Sequence, residues 1–214
     1  MSFYRNKIYP FLVNSFGNPS PIKKIRQQII YKAQGIVLEI GVGSGANFPY
    51  YDADNVTKLY ALEPNIGMIR LAEQQIRQTK LVFEFLDLPG EKIPLENETV
   101  DTVVSTFTLC TMQKIEEALD GIKRVLKPEG KLIFFELGLS PDIYIRRWQK
   151  IFDPVAHLAY NGLFLTRDIP AFIVQSGFHI EELENGYISK FPKSWSYCFW
   201  GTAINQIQNK KLVM

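Results

Sequence analysis

From residue 36 onward, short apolar runs alternate with amphipathic stretches, and that alternation restricts the chain to few folds. Ile36-Val37-Leu38-Glu39-Ile40 reads as a buried strand. Lys58 to Leu62, Leu81 to Leu86, Thr102 to Thr106 and Lys131 to Glu136 read as four more. Helical periodicity fills residues 66–77 and 113–126, where Ile115, Leu119, Ile122 and Leu126 form one stripe. Lys127-Pro128-Glu129-Gly130 supplies the turn into the fifth strand. Strands and helices alternating at this spacing predict a parallel sheet covered on both faces. Beyond it the pattern changes. Residues 142–160 read as an aromatic- and arginine-rich helix that Pro154 can break, and 168–176 as a further helix. Phe178 to Leu183 and Trp195 to Ile204 read as strands joined through 184–194, a hairpin that adds an antiparallel edge and brings the sheet to seven strands.

With 214 residues, 46% of them hydrophobic and 21% charged, the chain can bury a core without staples. A net charge of +2 does not suggest a nucleic-acid partner. Two histidines, His157 and His179, and two cysteines, Cys110 and Cys198, exclude a zinc-finger or histidine-rich metal centre, and no metal is expected. Free thiols and the lack of a long apolar run predict a cytoplasmic protein. Ile8 to Val13 follows Arg5 and Lys7 as in a signal peptide, but it is short and broken by Pro10.

The charge is unevenly placed. Residues 1–34 carry six basic groups and no acid, whereas the rest carries 18 basic and 22 acidic groups. Ser20 and Pro21 predict a helix start, with Ser20 as the cap. Ile22, Ile25, Ile29 and Ala33 then fall on one face, with Lys and Arg expected on the other. This reads as a basic helix packed on the domain, a lid over a site, or a weak membrane-surface contact. The chain divides into residues 1–34, an N-terminal helical lid, and 35–214, a single domain with a helical cap inserted at about 141–167.

The most informative residues for function are Glu39-Ile40-Gly41-Val42-Gly43-Ser44-Gly45. Glycines at the C-terminal end of a strand let the backbone turn tightly and approach a ligand. The third glycine comes one residue earlier than in a dinucleotide fingerprint, and no Lys-Ser/Thr pair follows for a phosphate. Glu63 ends the second strand, where a carboxylate can accept both ribose hydroxyls. Glu39 suits a cationic amino group. A ligand with a ribose and positive charge but no phosphate fits this set, and S-adenosylmethionine has those features.

Val37 through Gly45 resembles the first motif of the class I S-adenosylmethionine-dependent methyltransferases. Ala61-Leu62-Glu63-Pro64-Asn65, followed by Met68, is similar to the second, and Asp101 through Thr106 to the fourth strand. Arg124 through Leu132 is similar to the turn into the fifth. The resemblance implies an α/β, Rossmann-like, mostly parallel seven-stranded sheet with an antiparallel edge strand. It also implies S-adenosylmethionine held by Glu39, Gly41, Gly43, Gly45, Asn47, Glu63, Pro64, Met68 and Thr106. Pro89 stands where many relatives carry Asp or Asn, so the backbone of Leu88, Pro89, Gly90 and Glu91 is assigned the adenine wall. The branches resembled are the ubiquinone/menaquinone-biosynthesis-type enzymes and the methyltransferase-like thiol methyltransferases. Gly45-Ala46-Asn47-Phe48, Thr108-Leu109-Cys110, and Trp148 through Asp153-Pro154, His157 and Leu165-Thr166-Arg167 are similar to the second.

The acceptor is expected to be a small apolar molecule, a thiol in preference to a phenol or quinol. Phe107, Cys110, Trp148, Phe152, His157 and Tyr160 are the candidate acceptor wall. Asp153 and His157, four residues apart on a helix, share a face, so the acid could orient His157 as a catalytic base. Two other readings stay open: a catalytically silent S-adenosylmethionine-binding module and a nicotinamide-dependent oxidoreductase, the latter disfavoured by the glycine spacing. The acceptor's identity and the oligomeric state are not legible.

Overall fold

The computed structural model describes residues 19–86, 93–160 and 162–205. Seven strands form one sheet: β1 (Gly35–Ile40), β2 (Val56–Leu62), β3 (Phe83–Leu86), β4 (Val100–Thr106), β5 (Leu126–Leu137), β6 (Phe178–Tyr187) and β7 (Tyr197–Asn205). Their order is β3-β2-β1-β4-β5-β7-β6. The first five run parallel, and β7 enters antiparallel to both β5 and β6. The expected antiparallel edge is this hairpin, with β7 inside and β6 outermost. The order reverses between β1 and β4, so a crevice opens beyond their C-terminal ends, where α/β sheets bind ligands.

Among the described residues five α-helices accompany the sheet: α1 (Ser20–Ile30), α2 (Ile66–Ile76), α3 (Ile115–Val125), α4 (Ile143–Ala159) and α5 (Ile169–Gln175). The α3 stripe behaves as its periodicity requires: Ile115, Ala118, Leu119, Ile122 and Val125 are buried, packed with Val103, Leu132 and Phe134. On the other face Val37, Leu59, Val104, Ile133 and Phe135 pack with Ile22, Ile25 and Ile29 of α1. Fully burying each such side chain stabilises the fold by about 1.5–3 kcal/mol.

Several boundaries move. Pro19 is the cap of α1, because its extended ψ of 163° turns the chain in, and Ser20 is already helical. The Lys127–Gly130 turn lies within β5: Leu126 pairs with Val100 and Lys131 with Thr102, so the residues between bulge out, with Glu129 at φ 62°. Trp195 belongs to a 3-10 turn, Lys193–Trp195, rather than to β7, since its N–H donates to the Pro192 carbonyl. The helix α4 runs unbroken through Pro154. Pro154 and Lys150 both lie on its exposed side, where solvent can take the carbonyl that loses its partner.

Candidate functional site

The loop after β1 is pinned before any ligand is considered. The N–H groups of Gly41 and Val42 donate to the Leu62 carbonyl at 2.8 and 3.2 Å, tying the loop to the end of β2. Glu63 then locks its tip. One carboxylate oxygen accepts from the Gly43 N–H and the other from the Asn65 N–H, both at 2.9 Å. Asn65 caps α2 through the N–H groups of Gly67 and Met68. Glu63 is 8% exposed, and Met68 is buried on the first turn of α2. Pro64 lies exposed between Glu63 and Asn65.

The three loop glycines serve two purposes. A Cβ on Gly41 would lie 2.3 Å from the Thr108 hydroxyl, and one on Gly45 would lie 2.6 Å from the Phe48 ring, so both are required by packing. A Cβ on Gly43 would meet nothing nearer than the Gly41 carbonyl at 4.0 Å. Gly43, at φ 56°, faces open space beside the Glu63 carboxylate.

Beyond the loop lies a buried polar network. Asn47 donates to Glu39 at 2.7 Å and to the Thr106 hydroxyl at 3.0 Å, and Tyr51 donates to the other Glu39 oxygen at 2.7 Å. Arg26 of α1 donates to the Asn47 side-chain oxygen and, at 2.9 Å, to Thr106. Its guanidinium sits 5.5 Å from the Phe107 ring centre. Burial pushes the Glu39 carboxyl up to about 7, against the pull of Tyr51, Asn47 and the Arg26 charge. Burial also draws the Arg26 guanidinium below its ordinary value, with Glu39 opposing. Arg26 is 5% exposed, and its Nε has no partner among the described residues. The guanidinium rests on neutral acceptors, and the nearby Glu39 charge is its main electrostatic compensation.

Arg26 was expected on the solvent face of its helix and lies on the buried one. The spacing contains the reason: Arg26 is four residues after Ile22 and three before Ile29, inside the apolar stripe. Tyr51 and Glu136 carried no comparable signal. Glu136, fully buried at the end of β5, accepts from the Ser105 hydroxyl at 2.7 Å and from the N–H groups of Thr108, Leu109 and Cys110 at 3.1 to 3.2 Å. It shapes the turn that leaves β4. Burial raises its carboxyl despite these donors.

The remaining expected residues do not join this cluster. Cys110 is fully buried in the core, and burial, helped by Glu136, pushes its thiol well above the ordinary range. It is a core group rather than an exposed wall. Asp153 and His157 do not pair. The Asp153 carboxylate accepts from the Leu165 N–H at 2.6 Å and the Thr166 hydroxyl at 3.3 Å, holding down the chain after α4. His157 lies 3.4 Å from the Gln113 side-chain nitrogen and packs on Phe164, with Nδ1 buried and unpartnered among the described residues. Trp148 stacks on Phe152, and Phe152 and Tyr160 both meet Trp195, so these aromatics form a chain of their own between α4 and the 3-10 turn. Leu88, Pro89, Gly90 and Glu91 lie outside the described residues.

A glycine loop after β1, an acid closing β2 and a crevice at the β1–β4 reversal make a nucleoside-binding α/β fold, which solved S-adenosylmethionine-dependent methyltransferases share. Residues 38–134, a little under half of the chain, match the family described as "Methyltransferase domain". Human thiol S-methyltransferase TMT1A is 30% identical over 163 residues, covering 74% of this chain and 65% of that protein. The ubiquinone/menaquinone biosynthesis C-methyltransferase UbiE of Blochmanniella pennsylvanica is 27% identical over 143 residues, covering 64% of this chain and 55% of that protein. The chain thus spans less than two thirds of the length of these relatives. The crystal structure of a SAM-dependent methyltransferase from Methanosarcina mazei superposes with a TM-score of 0.65 at 17% identity. It covers 86% of this chain and 98% of that one, a likeness of fold alone.

The residues present fit S-adenosylmethionine. The open face of Gly43 is a cradle, and the Glu63 carboxylate beside it is a hydroxyl acceptor.

Proposed function

We propose that the protein transfers a methyl group from S-adenosylmethionine to a small apolar acceptor, a thiol in preference to a phenol or quinol. The observation that carries this reading is the open space at Gly43 beside Glu63. Glu63 accepts the ribose hydroxyls, keeping its hold on the Gly43 and Asn65 N–H groups through its remaining lone pairs. Gly41, Gly43 and Gly45 let the backbone lie against the methionine portion. Glu39, held by Asn47 and Tyr51, is assigned the amino group. Met68 and Pro64 border the adenine. Thr106 and Phe107 close the crevice from the end of β4.

When bound, S-adenosylmethionine supplies a methyl group already activated by its sulfonium. The chain's task is then to position the acceptor in line and to exclude water. Phe107, packed on Phe135 at 4.6 Å, offers a fixed apolar wall for it. The acids of the crevice are each held by neutral donors, Glu39 by Asn47 and Tyr51 and Glu63 by the Gly43 and Asn65 N–H groups, which favours an acceptor that needs no dedicated base. A thiol ionises near pH 8.5, whereas a phenol does so near about 10. Likeness to the thiol methyltransferase TMT1A supports the same choice.

The test is the initial rate on an alkyl thiol and a prenylated phenol, in wild type and His157→Ala, across pH. The thiol is expected to be methylated, with little loss in the variant at high pH. If His157 is instead a catalytic base, the change lowers phenol turnover by about 10²- to 10⁴-fold. Turnover of the phenol alone, abolished in His157→Ala, overturns the thiol reading.

A further inference from the structure

We propose that the outer face of α4 docks on an anionic lipid bilayer. Tyr144, Trp148, Ile151, Val155 and Leu158 are 69, 53, 61, 57 and 85% exposed. They recur at i, i+4, i+7, i+11 and i+14, so they form one continuous stripe, about 21 Å long at the rise of an α-helix. The opposite face is spent on the protein: Gln149 and Ala156 are buried, and Gln149 bonds to Ser140 and Gly138. An apolar stripe of this length on the surface marks an interaction site.

Charge selects the occupant. Arg147 and Lys150 are exposed beside the stripe, and Arg147 lies over the Tyr144 ring. Lys193, on the 3-10 turn packed against α4, is exposed as well. Asp153, the one acid within α4, is turned inward to Leu165 and Thr166. A second copy seated on this face would set these cations against their own equivalents. Residues 1–18 carry Arg5 and Lys7 and no acid, so their charge does not complement this face. An anionic bilayer satisfies both features: its headgroups pair with Arg147 and Lys150, and its acyl boundary takes Ile151, Val155 and Leu158. Tyr144 and Trp148 belong at the interface between them.

The inner side of α4 rests on the turn that leaves β4, with Ala156 in the same core as Leu109 and Cys110. A docked α4 therefore sets the sheet's C-terminal edge beside the lipid. Resting on the methyl-transfer reading above, this places the crevice next to the phase in which an apolar acceptor concentrates.

The test is co-flotation of the full chain with phosphatidylcholine vesicles, with and without about 30 mol% phosphatidylserine. Wild type is expected to float with the anionic vesicles, with a blue shift in tryptophan emission. Ile151→Glu/Leu158→Glu and, separately, Arg147→Glu/Lys150→Glu are each expected to weaken that partitioning by about tenfold or more. Both variants should retain wild-type affinity for S-adenosylhomocysteine, which reports on the crevice independently of the surface. Three results would overturn the proposal: wild type that stays with the unbound fraction, variants that float as wild type does, or a wild-type dimer that either variant dissociates.

Discussion

Gly43→Val is expected to abolish tight binding of S-adenosylhomocysteine while the domain remains folded. The protein itself leaves room for the side chain, since a Cβ there meets nothing within 4.0 Å. The backbone penalty of a left-handed φ for a branched residue is about 1–2 kcal/mol, a minor part of the roughly 5–15 kcal/mol that holds a domain together. The valine methyl groups instead fill the space assigned to the cofactor. Overpacking a fitted site costs about 1–3 kcal/mol or more, which corresponds to a loss in affinity of about 5- to 150-fold or more. Calorimetry gives the affinity and a thermal melt gives the fold. Gly41→Ala is the contrasting control, because its Cβ runs into Thr108 and the damage falls on stability. Wild-type affinity in Gly43→Val contradicts the assignment of the loop.

Glu63→Ala is expected to weaken the same ligand by about 10- to 150-fold, the equivalent of about 1.5–3 kcal/mol for a charged acceptor. Two effects combine. The ribose hydroxyls lose their acceptor, and the N–H groups of Gly43 and Asn65 lose the carboxylate that fixes loop against helix. Glu63→Gln separates them. An amide keeps one acceptor oxygen but turns its NH2 toward one of those two N–H groups, so it should restore only part of the affinity. An unchanged affinity in Glu63→Ala, with the melt intact, removes the ribose role.

The sheet was legible because strand and helix periods differ and the central strands β1 and β4 are buried along most of their length. Strand ends were less legible, as with the bulge at Lys127–Gly130, where pairing partners rather than local residues decide where a strand begins. Gly43 and Glu63 could be found because a close backbone approach and a bidentate acceptor each need one residue type at one place. Arg26 could not be placed by charge alone; only its position inside an apolar stripe carried the signal. Glu136 and Tyr51 act through contacts far apart in sequence, such as the 12 residues separating Tyr51 from Glu39. The Asp153–His157 pairing failed for a related reason. Sharing a helix face permits the contact, but the Leu165 N–H competes for the carboxylate and takes it.

The central claim is that the crevice beyond β1 and β4 holds S-adenosylmethionine. Titration calorimetry of the wild-type chain with S-adenosylhomocysteine, and in parallel with NADH, tests it most directly. One saturable site for S-adenosylhomocysteine, with a raised melting temperature and no heat from NADH, is the predicted result. Saturable binding of NADH, with none of S-adenosylhomocysteine, would contradict the account.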